Sequence, residues 1–225
     1  MDLSKFGPSP RPVNGMKSIA IVAGGIMHKR FLAEIRKSDG VIGVDGGALW
    51  LLNQGIVPDV AVGDFDSVTQ REKRKIHDQA KKYIEYPGKK DATDLELALE
   101  EAIRLHPKEV RMYGVLGRRF DHALAAAHLL QMLSSHNIYG EIVDNFNKMI
   151  VVRRQLKLLP DRTYPYISII PLESYAIVTL EGFAYAVSRA VFRLGGSLGV
   201  SNEISGTSAT ITVHKGLVLV IQSRD

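Results

Sequence analysis

Residues 90–113 read KDATDLELALEEAIRLHPKEVRMY, and their pattern decides the class of fold. Thr93 and Glu96 match the S/T-x-x-E capping box, and Leu95, Leu99, Ala102 and Ile103 recur at helical spacing. A helix is therefore predicted to begin after Thr93, with Asp94 in its first turn. The apolar run from Glu109 to Tyr113 then reads as a strand. Working outward, similar short Val- and Ile-rich runs occur at Ser18 to Ala23, Val41 to Val44, Val60 to Val62 and Gly140 to Val143, separated by helical patterns. A second clear helix is predicted from about Asp121 to Leu133 (DHALAAAHLLQML), where Ala and Leu favour helix and no breaker intervenes. Such alternation predicts an α/β domain: a Rossmann-like parallel sheet with helices on both faces.

After Phe146 the texture changes. The segments MIVVRR, YPYISII, YAIVTL, ATITVH and LVLVIQS are separated by turn residues, with no long helical pattern between them, and predict a small all-β domain. The chain thus divides into an extension over 1–15, which carries three prolines and two glycines without periodicity, an α/β domain over 16–146 and a β domain over 147–225. The join near Phe146 has too little Pro or Gly for a long flexible linker.

Composition narrows the chemistry. The chain has 225 residues, 45% of them hydrophobic and 24% charged, which suffices for a substantial core and gives no block of like charge. A net charge of +5 suits a polyphosphate ligand as well as a nucleic acid. No stretch reaches the roughly 18–20 apolar residues of a membrane span, and the first residues lack the apolar run of a signal peptide, so a cytoplasmic location is expected. The absence of cysteine excludes disulfides, thiolate catalysis and sulfur-ligated zinc.

Under the α/β reading, ligands bind where parallel strands end, and aspartates gather there. Asp45 lies in VDGG (44–47), beside glycines that let the backbone approach a ligand. Asp64 and Asp66 alternate in GDFDS (63–67), so their carboxylates can converge. Asp91 and Asp94 flank the start of the helix described above. A single aspartate is usually a turn or cap residue. Their recurrence after successive strands instead suits a hard cation such as Mg²⁺ with a nucleotide, because unneutralised acids would repel one another. The loop GVLGRRFDH (114–122) leads from a strand into a helix, a placement suited to backbone and guanidinium contacts with phosphate. Neither a P-loop nor a G-x-G-x-x-G fingerprint is present. His28, His77, His106, His128, His136 and His214 have no metal-like pairing, and Trp50 and the methionines are expected to pack.

VDGG, GDFDSV, KDATDLELALEEA, the G-x-x-G-x-R-x-D-H loop and the C-terminal SNEI and KGLVLVIQSRD occur here in the order found in thiamine pyrophosphokinases, and the chain resembles that family over nearly all of 16–225. The resemblance implies an α/β domain holding ATP and Mg²⁺, a C-terminal β-sandwich, and a homodimer with thiamine between subunits. It implies transfer of the ATP diphosphate to the thiamine hydroxyl with AMP leaving. Carried over by position, Asp64, Asp66, Asp91 and Asp94 form the catalytic metal and diphosphate cluster. Asp45, Gly46, Lys90, Gly117, Arg119, Asp121 and His122 are expected at ATP, and Ser201 and Asn202 at thiamine. The chain departs from the family in having Arg118 where glycine is usual. Two alternatives use the same acids: a pyrophosphokinase acting on a hydroxymethyl pterin, and a metal-dependent phosphatase, since Asp64 to Val68 fits D-x-D-x-[TV]. A nucleic-acid partner is not expected, because aromatic and basic residues are not interleaved in the β domain.

Overall fold

The structure, a computed structural model, describes residues 17–88, 91–117 and 119–225. The expected N-terminal extension, Lys90 and Arg118 lie outside these residues. The chain forms two compact units. One comprises the described residues up to Val115 together with His136–Tyr139, and the other comprises Leu116–Ser135 with Gly140–Asp225. The change of texture near Phe146 is a different partition from this one, because the helix before it packs on a strand beyond it.

In the first unit the order is β1 (Ser18–Val22), α1 (Leu32–Lys37), β2 (Gly40–Val44), α2 (Gly46–Asn53), β3 (Val60–Gly63), α3 (Gln70–Gln79), β4 (Tyr83–Glu85), α4 (Asp94–Arg104) and β5 (Glu109–Tyr113). Every pairing among these strands is parallel, in the order β4-β3-β2-β1-β5. β2 is buried along its whole length, as a GVIGV run without a polar residue requires when both sheet faces are covered. Helix α4 starts where the capping pattern puts it, with the Thr93 hydroxyl accepting from the Glu96 N–H at 3.2 Å. α3 has a complete capping box between Thr69 and Glu72. At the start of α2, Gly47 lies so close to β1 that a Cβ there would overlap the Val22 carbonyl, so only glycine lets the β2–α2 turn close. α2 and α4 both pack on β1 and β2.

The second unit continues with α5 (Phe120–Ser135), β6 (Tyr139–Val143, whose first residue belongs to the first unit), β7 (Asn147–Val152), β8 (Gln155–Leu158), β9 (Tyr166–Pro171), β10 (Tyr175–Glu181), β11 (Val187–Arg193), β12 (Asn202–Glu203), β13 (Ala209–Lys215) and β14 (Val218–Ser223). Its strands pair antiparallel, in the orders β12-β9-β14-β7-β6 and β11-β10-β13-β8. Alternate residues of both sets face one core: Ile150 and Val152, Ile167 and Ile169, and Val218 and Val220 from the first, with Ala176, Val178, Leu180, Phe192, Ile211 and Val213 from the second. The expected strands are all present, and β8, β11 and β12 add to them. No helix among the described residues is long and apolar enough to cross a membrane.

Ile211 is fully buried at the centre of this core. Ile211→Ala is expected to lower unfolding free energy by about 2–5 kcal/mol through lost burial and a residual cavity. Urea titration followed by circular dichroism measures the effect.

Candidate functional site

Two neighbouring strands of the first unit end in acids. β2 passes directly into Asp45, and β3, which ends at Gly63, into Asp64, with the Asp45 N–H donating to the Val62 carbonyl at 3.1 Å. Asp45 holds an unusual backbone conformation (φ 46°, ψ −122°), and its Oδ1 accepts from the Phe65 N–H at 3.1 Å rather than capping α2. Gly63 (φ 153°) faces this carboxylate so closely that a Cβ would overlap Asp45 Oδ1. Asp94 arrives from the first turn of α4. One carboxylate oxygen each from Asp45, Asp64 and Asp94 lies within 4.8 Å of the other two, and all three residues are half-buried. Such a set of hard oxygen donors can hold a divalent cation.

Phe65 anchors this edge. It has φ 56°, is 2% exposed, and packs with Ala48, Leu52, Ala61 and Ile76. Its ring stacks on Tyr83, with centroids 4.7 Å apart and planes 17° from parallel. The Tyr83 hydroxyl donates to Glu85 Oε2 at 2.9 Å, and Lys73 Nζ donates to Glu85 Oε1 at 2.7 Å. Burial, and then the Glu85 carboxylate, push the Tyr83 phenol up, while the Lys73 ammonium holds the Glu85 carboxyl below its usual range. A non-glycine residue at positive φ costs on the order of 1–3 kcal/mol. Here the buried ring and its stack offset that cost, leaving Asp64 and Asp66 on either side of a fixed point.

The structure brings Asp45, Asp64 and Asp94 together, and it does not bring Asp66 and Asp91 into that group. Asp66 is exposed, its N–H donating to Asp64 Oδ1 at 3.1 Å, and Asp91 is exposed two residues before the Thr93 cap. Gly46 begins α2, 3.6 Å from Ser67 Oγ for a Cβ built on it. The sequence signal for Asp45 as a member of the group was its position at a strand end next to glycines.

In the second unit, Gly117 is exposed ahead of α5, and Arg119, Asp121 and His122 are exposed at its start. Arg119 clamps Asp121 with two bonds, Nε to Oδ1 at 3.2 Å and Nη2 to Oδ2 at 2.6 Å, and this guanidinium lowers the Asp121 carboxyl. Ser201 is exposed at φ 56°, its N–H donating to Ser168 Oγ at 3.1 Å. Asn202 is only 2% exposed and its amide is occupied internally. Oδ1 accepts from the Tyr185 and Glu203 N–H groups at 3.0 and 2.9 Å, and Nδ2 donates to the Tyr185 carbonyl at 2.9 Å.

Two family models match the chain: thiamin pyrophosphokinase, catalytic domain, over residues 31–140, and thiamin pyrophosphokinase, vitamin B1 binding domain, over residues 150–218. The thiamine pyrophosphokinase of Bacillus subtilis is 36% identical over 216 residues, spanning 93% of this chain and all of the relative. The chain belongs to the thiamin pyrophosphokinase family. The fold is that of the family. The crystal structure of the Bacillus subtilis enzyme superposes with a TM-score of 0.84 at 34% identity, covering 93% of this chain and 100% of that one. A family protein from Enterococcus faecalis gives a TM-score of 0.82 at 27% identity, covering 92% and 99%.

Two substitutions probe these contacts. Gly63→Ala must displace the Asp45 carboxylate, so it is expected to lower the melting temperature and to weaken the cluster as a cation site; scanning calorimetry of both proteins with and without Mg²⁺ checks this. Asn202→Asp loses its donor and sets a carboxylate against the Tyr185 carbonyl. It is expected to cost about 1–3 kcal/mol in denaturant unfolding.

Proposed function

We infer that this chain transfers the terminal diphosphate of ATP to the hydroxyl of thiamine, giving thiamine diphosphate and AMP, a reading supported by the name of its Bacillus subtilis relative, thiamine pyrophosphokinase. The observation that carries the reading is the convergence, in the matched catalytic region, of Asp45 and Asp64 from adjacent strand ends with Asp94 from the start of α4. The match of residues 150–218 to a vitamin B1 binding domain supports thiamine as acceptor and does not favour the pterin or phosphatase alternatives.

The donor set suits Mg²⁺. An octahedral shell with metal–oxygen distances of about 2.1 Å places neighbouring ligand oxygens about 3 Å apart and opposite ones about 4 Å apart. Oxygens already within 4.8 Å of one another close onto such an ion with small side-chain rotations. The proposed ligands are Asp45, Asp64 and Asp94, with Asp66 and Asp91 beside them for the diphosphate-bound part of the cluster. When bound, the ion supplies neutralisation of the triphosphate oxygens during attack. Asp91 or Asp94 orients the thiamine hydroxyl and accepts its proton as the oxygen closes on the β-phosphorus. Arg119 steadies the phosphates, exchanging part of its exposed pairing with Asp121 for them. Gly46, Gly117 and His122 contribute to ATP binding, as does Lys90.

In the β domain, proposed as a two-sheet sandwich for thiamine, Ser201 and Asn202 share the work unequally. Asn202 holds the turn from within, and that leaves Ser201 at the surface to meet the ligand. Exposed apolar side chains at Tyr185, Leu194, Leu198 and Val200 near that turn in sequence support a second copy of the chain, in a homodimer, as their cover. The cysteine-free sequence suits a cytoplasmic setting.

Mixing the protein with ATP, Mg²⁺ and thiamine is expected to yield AMP and thiamine diphosphate in equal amounts, read by chromatography. Asp64→Asn is expected to lower the rate by about 100-fold or more while the circular dichroism spectrum is unchanged. Near-normal turnover in that variant would remove the carboxylate cluster from the mechanism.

A further inference from the structure

The inner face of the second unit becomes polar at one end. On β14, Val218 and Val220 belong to the core and Gln222 continues their row; on β7, Ile150 and Val152 do so and Lys148 continues theirs. Gln222 and Lys148 are direct cross-strand partners, so they stand side by side where two further apolar residues would complete the core. A cavity of about 420 Å³ opens there, lined by both residues, by Lys157 and Leu158 at the end of β8, and by the following segment with Asp161 and Arg162. That volume falls in the range of small-ligand sites, roughly 300–1,000 Å³.

The charge of the lining is one-sided. Lys148, Lys157 and Arg162 stand against a single acid, Asp161. Asp161 is already engaged: its carboxylate accepts from the Thr163 N–H at 2.8 Å and lies 3.5 Å from Lys148 Nζ. Among the described residues no ion pair is made by Lys157 or Arg162. Lys148 is steadied on its other side by the Tyr164 ring, 5.3 Å away. Gln222 is 6% exposed and lines the cavity beside these cations. An oxygen-rich anion in the cavity would take hydrogen bonds from the Gln222 amide N–H groups together with the cations around it. Leu158, Leu159 and Pro160 provide an apolar wall beside this polar end.

We propose that this cavity is a second ligand site, sharing no residue with the Asp45–Asp64–Asp94 cluster, for a small organic phosphate whose phosphate meets Lys148, Arg162 and Gln222 and whose carbon part lies against Leu158 and Pro160. The site stands independently of the transferase reading, since neither its residues nor its test involve turnover. The whole chain, labelled with ¹⁵N, is titrated with inorganic phosphate and with phenyl phosphate while the Gln222 side-chain amide and the Thr163 N–H resonances are followed. Saturable shifts at both are expected, with phenyl phosphate binding several-fold tighter than phosphate. Arg162→Gln, at an exposed position that leaves the fold intact, and Lys148→Met are each expected to weaken phenyl phosphate about tenfold. Gln222→Leu, which extends the apolar row, is expected to stay folded and to lose binding further. Shifts that do not saturate, equal affinity for the two probes, or unchanged affinity in Arg162→Gln would each overturn the proposal.

Discussion

Like charges held close together need a frame stiffer than their mutual repulsion. The first unit builds that frame from backbone, by letting the ends of β2 and β3 approach so closely that one position beside Asp45 admits no side-chain carbon. The Val62 carbonyl and the Phe65 N–H fix Asp45 from both sides, and a buried aromatic ring fixes the residue after Asp64. Each device is local, yet each depends on the sheet register that sets Val44 opposite Val62. The sheet therefore acts less as a container for the acids than as the jig that keeps their spacing.

The second unit follows the same logic with neutral groups. A buried Asn202 amide ties its own strand to the Tyr185 backbone with two bonds and accepts a third from the Glu203 N–H, and the residue before it stands at positive φ. Polar atoms in both units are placed by being fully satisfied on one side, which leaves a defined edge on the other.

Much of the fold was legible because its signals are periodic. The Thr93–Glu96 cap, the leucine spacing behind it and the Val- and Ile-rich runs located α4 and the strands of the parallel sheet to within a residue or two. β4 was not legible: a three-residue edge strand, YIE, carries no period, and its value to the site lies in the ring of Tyr83 rather than in its pairing. β8, β11 and β12 escaped for related reasons. QLKL and VSRAVFR have mixed exposure, and β12 has only two residues. For the site, strand-end position pointed to all the aspartates alike. It could not tell that Asp45 and Asp94 meet Asp64 while Asp66 turns outward, because that depends on the positive φ at Phe65. The solvent-averse amide of Asn202 was equally hidden, since a sequence motif marks where a residue lies and says nothing of which way it faces.

The three oxygens of the acidic group come from two strand ends and a helix start that are far apart along the chain. An unfolded chain keeps no trace of such a grouping, so whatever occupies it binds the native form alone. Occupancy and resistance to degradation then become one quantity. A ligand held there would slow the protein's degradation along with its unfolding, so that unoccupied copies would be the first to be cleared.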